Sequence, residues 1–236
     1  MNTTAIIQAR MGSSRLPGKV LLALEDHKPL LEYLIDRLKG SQKLDHLIVA
    51  TSADPSDHAV ADYCRSKNIE CFRGDLQNVA RRFFDLIRHY RLPSFVRISG
   101  DSPWLDSRLI DAGIGIFETG QYDIVTNIWH KTFPKGQSFE IFRAETYCES
   151  YSQMRESADL EHVTPFFYRN AGKFKIYNVE TSDRDYSDIN LCIDTEEDWL
   201  LFKQVTQRLS GSFLEYDWKT IVRLYCENRQ GVMAAR

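Results

Sequence analysis

Several features that would place this 236-residue chain quickly are missing from it. Its five cysteines, Cys64, Cys71, Cys148, Cys192 and Cys226, are odd in number, scattered and without a C-x-x-C pair. That argues against a disulfide framework and against a zinc site, and fits a reducing compartment. No run of about 18 apolar residues occurs, and the apolar stretch in the opening MNTTAIIQARMGSSR is too short for a signal peptide. A cytoplasmic protein with no membrane partner is expected. Positive charge is not in excess either: 30 Lys+Arg stand against 33 Asp+Glu, a net charge of −3. No basic field draws the chain to nucleic acid, so any polyanion has to be bound locally. Trp104, Trp129, Trp199 and Trp218 are too dispersed to form a stacking platform for bases. No repeat and no Gly- or Pro-rich linker marks a boundary, so residues 1–236 read as a single domain, within the length that α/β domains reach.

What the chain does have is enough apolar matter for a full core, 43% hydrophobic and 12% aromatic, set out in a rhythm. Ala5–Ala9, Leu47–Ala50, Cys71-Phe72, Phe95–Ile98 and Ile124-Val125 read as short strands. Helical patterns lie between them. Leu30, Leu34 and Leu38 form one stripe with Leu31 and Ile35 beside it; Asp54-Pro55-Ser56 opens a second helix; Val79, Phe83, Leu86, Ile87 and Tyr90 share a face of a third. Alternating strands and helices predict βαβ units and a Rossmann-like α/β sandwich of three layers around a mostly parallel sheet. The second half is less regular. Ser138–Phe142, Phe174–Val179 and Leu191–Ile193 are expected as strands, and Ala144–Arg155, His162–Arg169 and the segment of Trp199, Phe202, Val205 and Leu209 as helices. Residues 130–180 are expected to form an insertion or a subunit contact. Arg81-Arg82, beside Phe83-Phe84, reads as a solvated pair.

Directly after the first strand comes Arg10-Met11-Gly12-Ser13-Ser14-Arg15-Leu16-Pro17-Gly18-Lys19. Glycines and serines let backbone N–H groups approach a ligand, and Arg10, Arg15 and Lys19 add three positive charges, a combination suited to a polyphosphate. Loops at the carboxyl ends of strands line the ligand crevice of open α/β sheets. Neither of the two common nucleotide-loop spacings is present, and an ordinary solvated turn is the plain alternative. Two acidic motifs also follow apolar strands: Gly100-Asp101-Ser102-Pro103 and Asp194-Thr195-Glu196-Glu197-Asp198. Asp101 and Asp194 together suit magnesium, which takes one or two carboxylates alongside phosphates and waters. Asp101 equally suits a turn, and Asp194-Thr195-Glu196-Glu197 a helix start.

The run IIQARMGSSRLPGK resembles the opening of the cytidylyltransferase family that includes CMP-sialic acid and CMP-Kdo synthetases, most nearly the branch named after spore coat polysaccharide biosynthesis protein F. The G-D-x-P turn and the late D-T-x-E-D motif match the same family in the same order. The resemblance implies a GT-A-like nucleotidyltransferase that moves CMP from CTP to a sugar or sugar acid and works as a homodimer. It implies that Arg10, Gly12, Ser13, Arg15 and Lys19 hold the triphosphate, with Lys19 nearest the α-phosphorus, and that Asp101 and Asp194 bind Mg2+. Arg10, Lys19 and Asp101 would then be catalytic, and Ala9, Arg73, Gly74 and Gly100 would complete the nucleotide site. Asn78 stands where the family often has an aspartate. Phe133–Glu140 resembles the segment bordering the acceptor, with Gln137 and Ser138 departing from its usual Leu and Asp, and Glu161–Pro165 resembles an E-H-V-T-P motif. Gln137, Glu140 and His162 are thereby acceptor-binding candidates; a surface glutamate and a helix-capping histidine are the plain alternatives.

Two other functions fit the broad pattern. A glycosyltransferase would use a D-x-D metal motif, and Asp183-Arg184-Asp185 has that spacing, though late in the chain and between polar residues. A non-catalytic nucleotide-binding regulator would need no pair of metal carboxylates. The segment 130–180 carries Phe139, Phe142, Tyr147, Tyr151, Phe166, Phe167 and Tyr168, an aromatic density suited to a dimer interface or to a private satellite core.

Overall fold

A computed structural model describes residues 2–210 and 212–234. Seven strands form one sheet in the order β3-β2-β1-β4-β6-β5-β7: β1 Thr3–Gln8, β2 His46–Ser52, β3 Glu70–Gly74, β4 Ser94–Ser99, β5 Ile124–Thr126, β6 Glu140–Arg143 and β7 Ile176–Asn178. All run parallel except β6, which is antiparallel to both its neighbours, β4 and β5. The first four strands follow the predicted βαβ rhythm. The chain then inserts β6 between β4 and β5, so the segment 130–180 supplies the middle of the sheet as well as its far edge.

Alternation along the strands separates two cores. Ala5, Ile7, Val96, Ile98 and Ile141 face one side, where they meet α1 (Leu30–Lys39), α2 (His58–Ser66) and α4 (Ser107–Phe117). Ile6, Phe95, Ile124 and Phe142 face the other, against α3 (Val79–Tyr90), α5 (Ala144–Tyr151) and α7 (Pro165–Arg169). A third core gathers Trp104, Phe133 and Leu191 against α8 (Glu196–Gln207) and α9 (Trp218–Ala234). The aromatic residues of segment 130–180 lie mostly inside: Phe139, Phe142, Tyr147 and Phe167 are fully buried within the chain. Phe139 joins the first core, and Phe142, Tyr147 and Phe167 join the second.

Several expectations are corrected. Leu191–Ile193 is not a strand. Leu191 and Ile193 enter the third core, and the neighbourhood makes only a single bridge, between Lys135 and Asn190. The helix expected over 162–169 is two short ones, α6 (Ser157–His162) and α7, separated at Val163, whose φ of 75° is incompatible with helix continuation. The helix from Ala144 ends at Tyr151 rather than at Arg155. Helices α4 and α9 had no counterpart in the sequence reading. Gly113, which weakens the helical signal of α4, is required there: a Cβ would lie 2.5 Å from the Phe139 ring. Arg82 is buried, not solvated, and its guanidinium donates to the carbonyls of Asp75 and Leu76.

Candidate active site

The carboxyl ends of β1 and β4 lie side by side, Gln8 opposite Ser99, and the chain leaves both strands into the same crevice. Gly100 permits this: a Cβ there would stand 2.8 Å from the Gln8 carbonyl and 3.1 Å from Ala9 Cβ. Gly100 and buried Ala9 thus set the spacing of the two loops. The Arg10–Lys19 loop is pinned at one end by Asp57, a fully buried carboxylate just before α2 that accepts the Met11 N–H at 2.6 Å. The Met11 carbonyl accepts from Ser13 and Gly18, both at 2.9 Å. Gly18 closes the turn with φ 71°, a conformation that favours glycine. The sequence reading does not single out Asp57, whose partners, Met11 and the Ser52 backbone and hydroxyl, lie outside its own helix.

The turn leaves Arg10 and Arg15 exposed, keeps open space around Gly12, and sends Lys19 inward. Lys19 Nζ lies 2.7 Å from Asp101 Oδ2 and 2.8 Å from Asp194 Oδ1. The second oxygen of Asp194 meets Lys135 at 2.8 Å and Arg15 at 3.1 Å. Burial works against the charged form of both groups, but attraction between them prevails. The Lys19 ammonium is held above its ordinary pKa by Asp101 and Asp194, and hydrogen bonds from Lys135 and Lys19 hold the Asp194 carboxyl well below the usual carboxylate range. Residues 93 positions apart meet because the Ile193 N–H donates to the Asp101 carbonyl at 2.9 Å. Asp198 fixes the end of the late motif: its Oδ2 accepts from the Asp194 and Thr195 N–H groups and the Thr195 hydroxyl, closing a capping box on α8. The motif therefore does start a helix, through Thr195 and Asp198, while the Asp194 side chain stands outside the cap and meets Lys19.

One cavity is lined by Arg10 of the loop and another by the two carboxylates of the cluster. The first, of about 560 Å³, lies beside Arg10 and is lined by Gln77, Asn78, Ser157, Leu160 and Glu161. Asn78 also caps α3, accepting the Arg81 N–H. His162 is the exposed last residue of α6, and it is Glu161 that lines the cavity. Arg73 donates to the carbonyls of Ser52 and Asp54, each at 2.9 Å, and so fastens the end of β2. A Cβ on Gly74 would stand 2.8 Å from Arg82 Cγ. Neither residue lines the cavity beside Arg10.

The second cavity, of about 340 Å³, opens from Asp101 and Asp194 over Arg97, Ser99, Asn127, Ser138 and Glu140, with Lys131 and Lys135 exposed at its mouth. Its floor is a polar row across the sheet. On the face where Ile6, Phe95, Ile124 and Phe142 form core, the positions two residues along each strand are Gln8, Arg97, Thr126 and Glu140. Arg97 pairs with Glu140 and donates to Gln8 Oε1 at 3.0 Å. Tyr168 donates to the other oxygen of Glu140 at 2.5 Å. Burial and the Glu140 charge push the Tyr168 phenol well above its ordinary pKa, so it remains a donor. Gln137 does not reach this cavity. It is fully buried, accepting from the Asp106 N–H and donating to the Trp104 carbonyl.

The D-x-D segment lies elsewhere and is already engaged: Asp183 accepts from Lys219 and Tyr186, and Asp185 from the Ser187 N–H. Among the described residues no helix is long and apolar enough to cross a membrane. No group of three or more His, Cys, Asp or Glu among them is placed to hold a metal unaided. The two carboxylates fit magnesium on chemical grounds, as hard oxygen donors converging on one cationic position, the remaining ligands being those a phosphate and water bring.

A family model described as cytidylyltransferase matches residues 4–229. The spore coat polysaccharide biosynthesis protein SpsF of Bacillus subtilis is 32% identical over 211 residues, 86% of this chain and 85% of that protein. The structure of a cytidylyltransferase from Leptospira borgpetersenii serovar Hardjo-bovis aligns with TM-score 0.89 at 29% identity, covering 98% of this chain and 96% of that one. A CMP:2-keto-3-deoxy-manno-octonic acid synthetase, solved in complex with CTP, shares the fold at TM-score 0.66 and 17% identity, over 89% of this chain and 100% of its own.

Proposed function

The chain belongs to the cytidylyltransferase family, and from that premise we propose that it transfers CMP from CTP to a sugar or sugar acid used in surface polysaccharide or glycan synthesis. The observation that carries this reading is the meeting of Lys19, Asp101 and Asp194 at the edge of a polar cavity, at the end of a loop with exposed arginines. The nucleoside end fits the cavity beside Arg10, and the acceptor fits the one floored by Arg97 and Glu140. Arg10, Arg15 and the Gly12-Ser13 backbone hold the phosphates, and Lys19 orients the group that is transferred. Asp101 and Asp194 would hold magnesium, which when bound would supply charge neutralisation on the phosphate oxygens. An acceptor hydroxyl oxygen bonds to the α-phosphorus in line and releases its proton, while the bond to pyrophosphate breaks. Positioning and charge stabilisation suffice for such a step. The acceptor meets hydroxyl and amide groups from Ser99, Asn127 and Ser138. We further propose a homodimer. Since Phe139, Phe142, Tyr147 and Phe167 are internal, its interface uses other residues; exposed Trp129 and Tyr177 lie in or near the free edge at β7.

The test is pyrophosphate release with each nucleoside triphosphate against a panel of sugar acids and sugar phosphates. Release with CTP and at least one acceptor is expected, and no release with any pair would reject the reading. Sedimentation at micromolar concentration tests the dimer.

A further inference from the structure

Lys19 occupies the position that a divalent cation bridging Asp101 and Asp194 would need. Its ammonium contacts one oxygen of each carboxylate at 2.7 and 2.8 Å and is nearly buried. The free oxygen of Asp194 is covered by Lys135 and Arg15. Three cations thus surround two anions. A divalent ion approaching this cluster alone meets net positive charge and carboxylate lone pairs already in use, in a partly buried setting where charge repulsion is strong. A triphosphate alters the balance, because it offers Lys19, Arg15 and Lys135 another anion.

We propose that Lys19 is an electrostatic latch. In the free protein it holds Asp101 and Asp194 at bridging distance and keeps divalent ions out; when a nucleoside triphosphate draws the ammonium away, the pair is released to the metal. Metal then enters with or after the nucleotide, never before it. The same side chain keeps the two carboxylates from repelling each other while no ligand is present. This inference rests on the nucleotidyl-transfer reading.

The experiment is Mn2+ titration followed by electron paramagnetic resonance, on the full-length wild-type protein and on Lys19→Met, each with and without CTP. Wild type is expected to bind Mn2+ weakly alone and at least about tenfold more tightly with CTP. Without nucleotide, Lys19→Met is expected to bind Mn2+ at least about tenfold more tightly than wild type, since removing one adjacent positive charge is worth that much or more. Lys135→Met, at an exposed position on Asp194 alone, should show a smaller gain and serves if Lys19→Met does not fold. Equal Mn2+ affinity of wild type and these variants without nucleotide, with CTP binding intact, overturns the latch alone. Failure of wild type to bind CTP at all overturns the nucleotidyl-transfer reading and the latch with it.

Discussion

The loop from Arg10 to Lys19 and the floor built on Arg97 and Glu140 are both charged and both border the reaction cluster, yet they are finished to different degrees. Arg10 and Arg15 project into solvent, Gly12 has open space around it, and the loop carries more positive charge than its neighbours balance. On the floor, Arg97 already has Glu140 and Gln8, and Glu140 already has Arg97 and Tyr168. On the proposed reading, the loop that receives the triphosphate is left electrostatically incomplete, so that the ligand would complete it. The floor, proposed to face the acceptor, is satisfied beforehand, which fixes its donors and acceptors at the cost of adaptability. Damage to the floor should therefore appear in folding, and damage to the loop in binding.

The sharpest break would come from Glu140→Gln. It leaves the mostly buried Arg97 guanidinium without its counter-ion, and breaking a buried pair typically costs ~3–5 kcal/mol. Arg97 retains some solvent contact, so a loss near ~3 kcal/mol is expected in denaturant unfolding. An unmoved midpoint would mean that the floor is not held by this pair. Next in size is Arg10→Ala, which removes an exposed charge. A charge-assisted phosphate contact is worth ~1.5–3 kcal/mol, so CTP affinity should fall ten- to a hundredfold. The unfolding midpoint should stay put, and a variant equally weakened in stability and affinity would erase the contrast between the two regions.

Tyr168→Phe sharpens the comparison from within the floor. It removes one hydrogen bond to a charged group, ~1.5 kcal/mol, and lets the Glu140 carboxylate turn. Steady-state kinetics should show KM for the acceptor rising while KM for CTP holds; a change confined to CTP would place Tyr168 with the nucleotide instead. The smallest effect is expected from Thr195→Ala. Losing the hydroxyl of the α8 capping box should cost ~1 kcal/mol of stability. Because Asp198 still accepts the Asp194 N–H, magnesium-dependent turnover should change little. A collapse of turnover would make the cap part of the chemistry.

The same contrast governs what could be read from the sequence. The loop is ten contiguous residues after an apolar strand, so its glycines, charges and position can be seen together, and Asp101 and Asp194 each stand at the end of an apolar run. The floor has no such contiguity. Gln8, Arg97, Glu140 and Tyr168 come from distant parts of the chain, and only the register of β1, β4 and β6 sets the first three in neighbouring positions. Gln137, chosen for its place in a motif, turns inward because the Asp106 N–H and the Trp104 carbonyl lie there to be satisfied. Arg82 misleads for the same reason: sequence displays its charge but not the carbonyls of Asp75 and Leu76 that receive it. Leu191–Ile193 has a strand's composition without an adjacent strand to pair along its length.

Gly136 turns at φ 96° with its α-carbon pressed close to the backbone of Leu191 and Cys192. On either side of that contact the two segments are laced together, Thr132 to Tyr186, and Lys135 to both Ile189 and Leu191. The lacing joins one wall of the acceptor cavity to the stretch that ends at Asp194. Displacement of that wall is carried through main chain, which has little give, into the carboxylate on the far side. Mechanically the two are one lever. On the proposed reading, an acceptor pressing on Phe133 or Gly136 would bear on the segment that ends at Asp194.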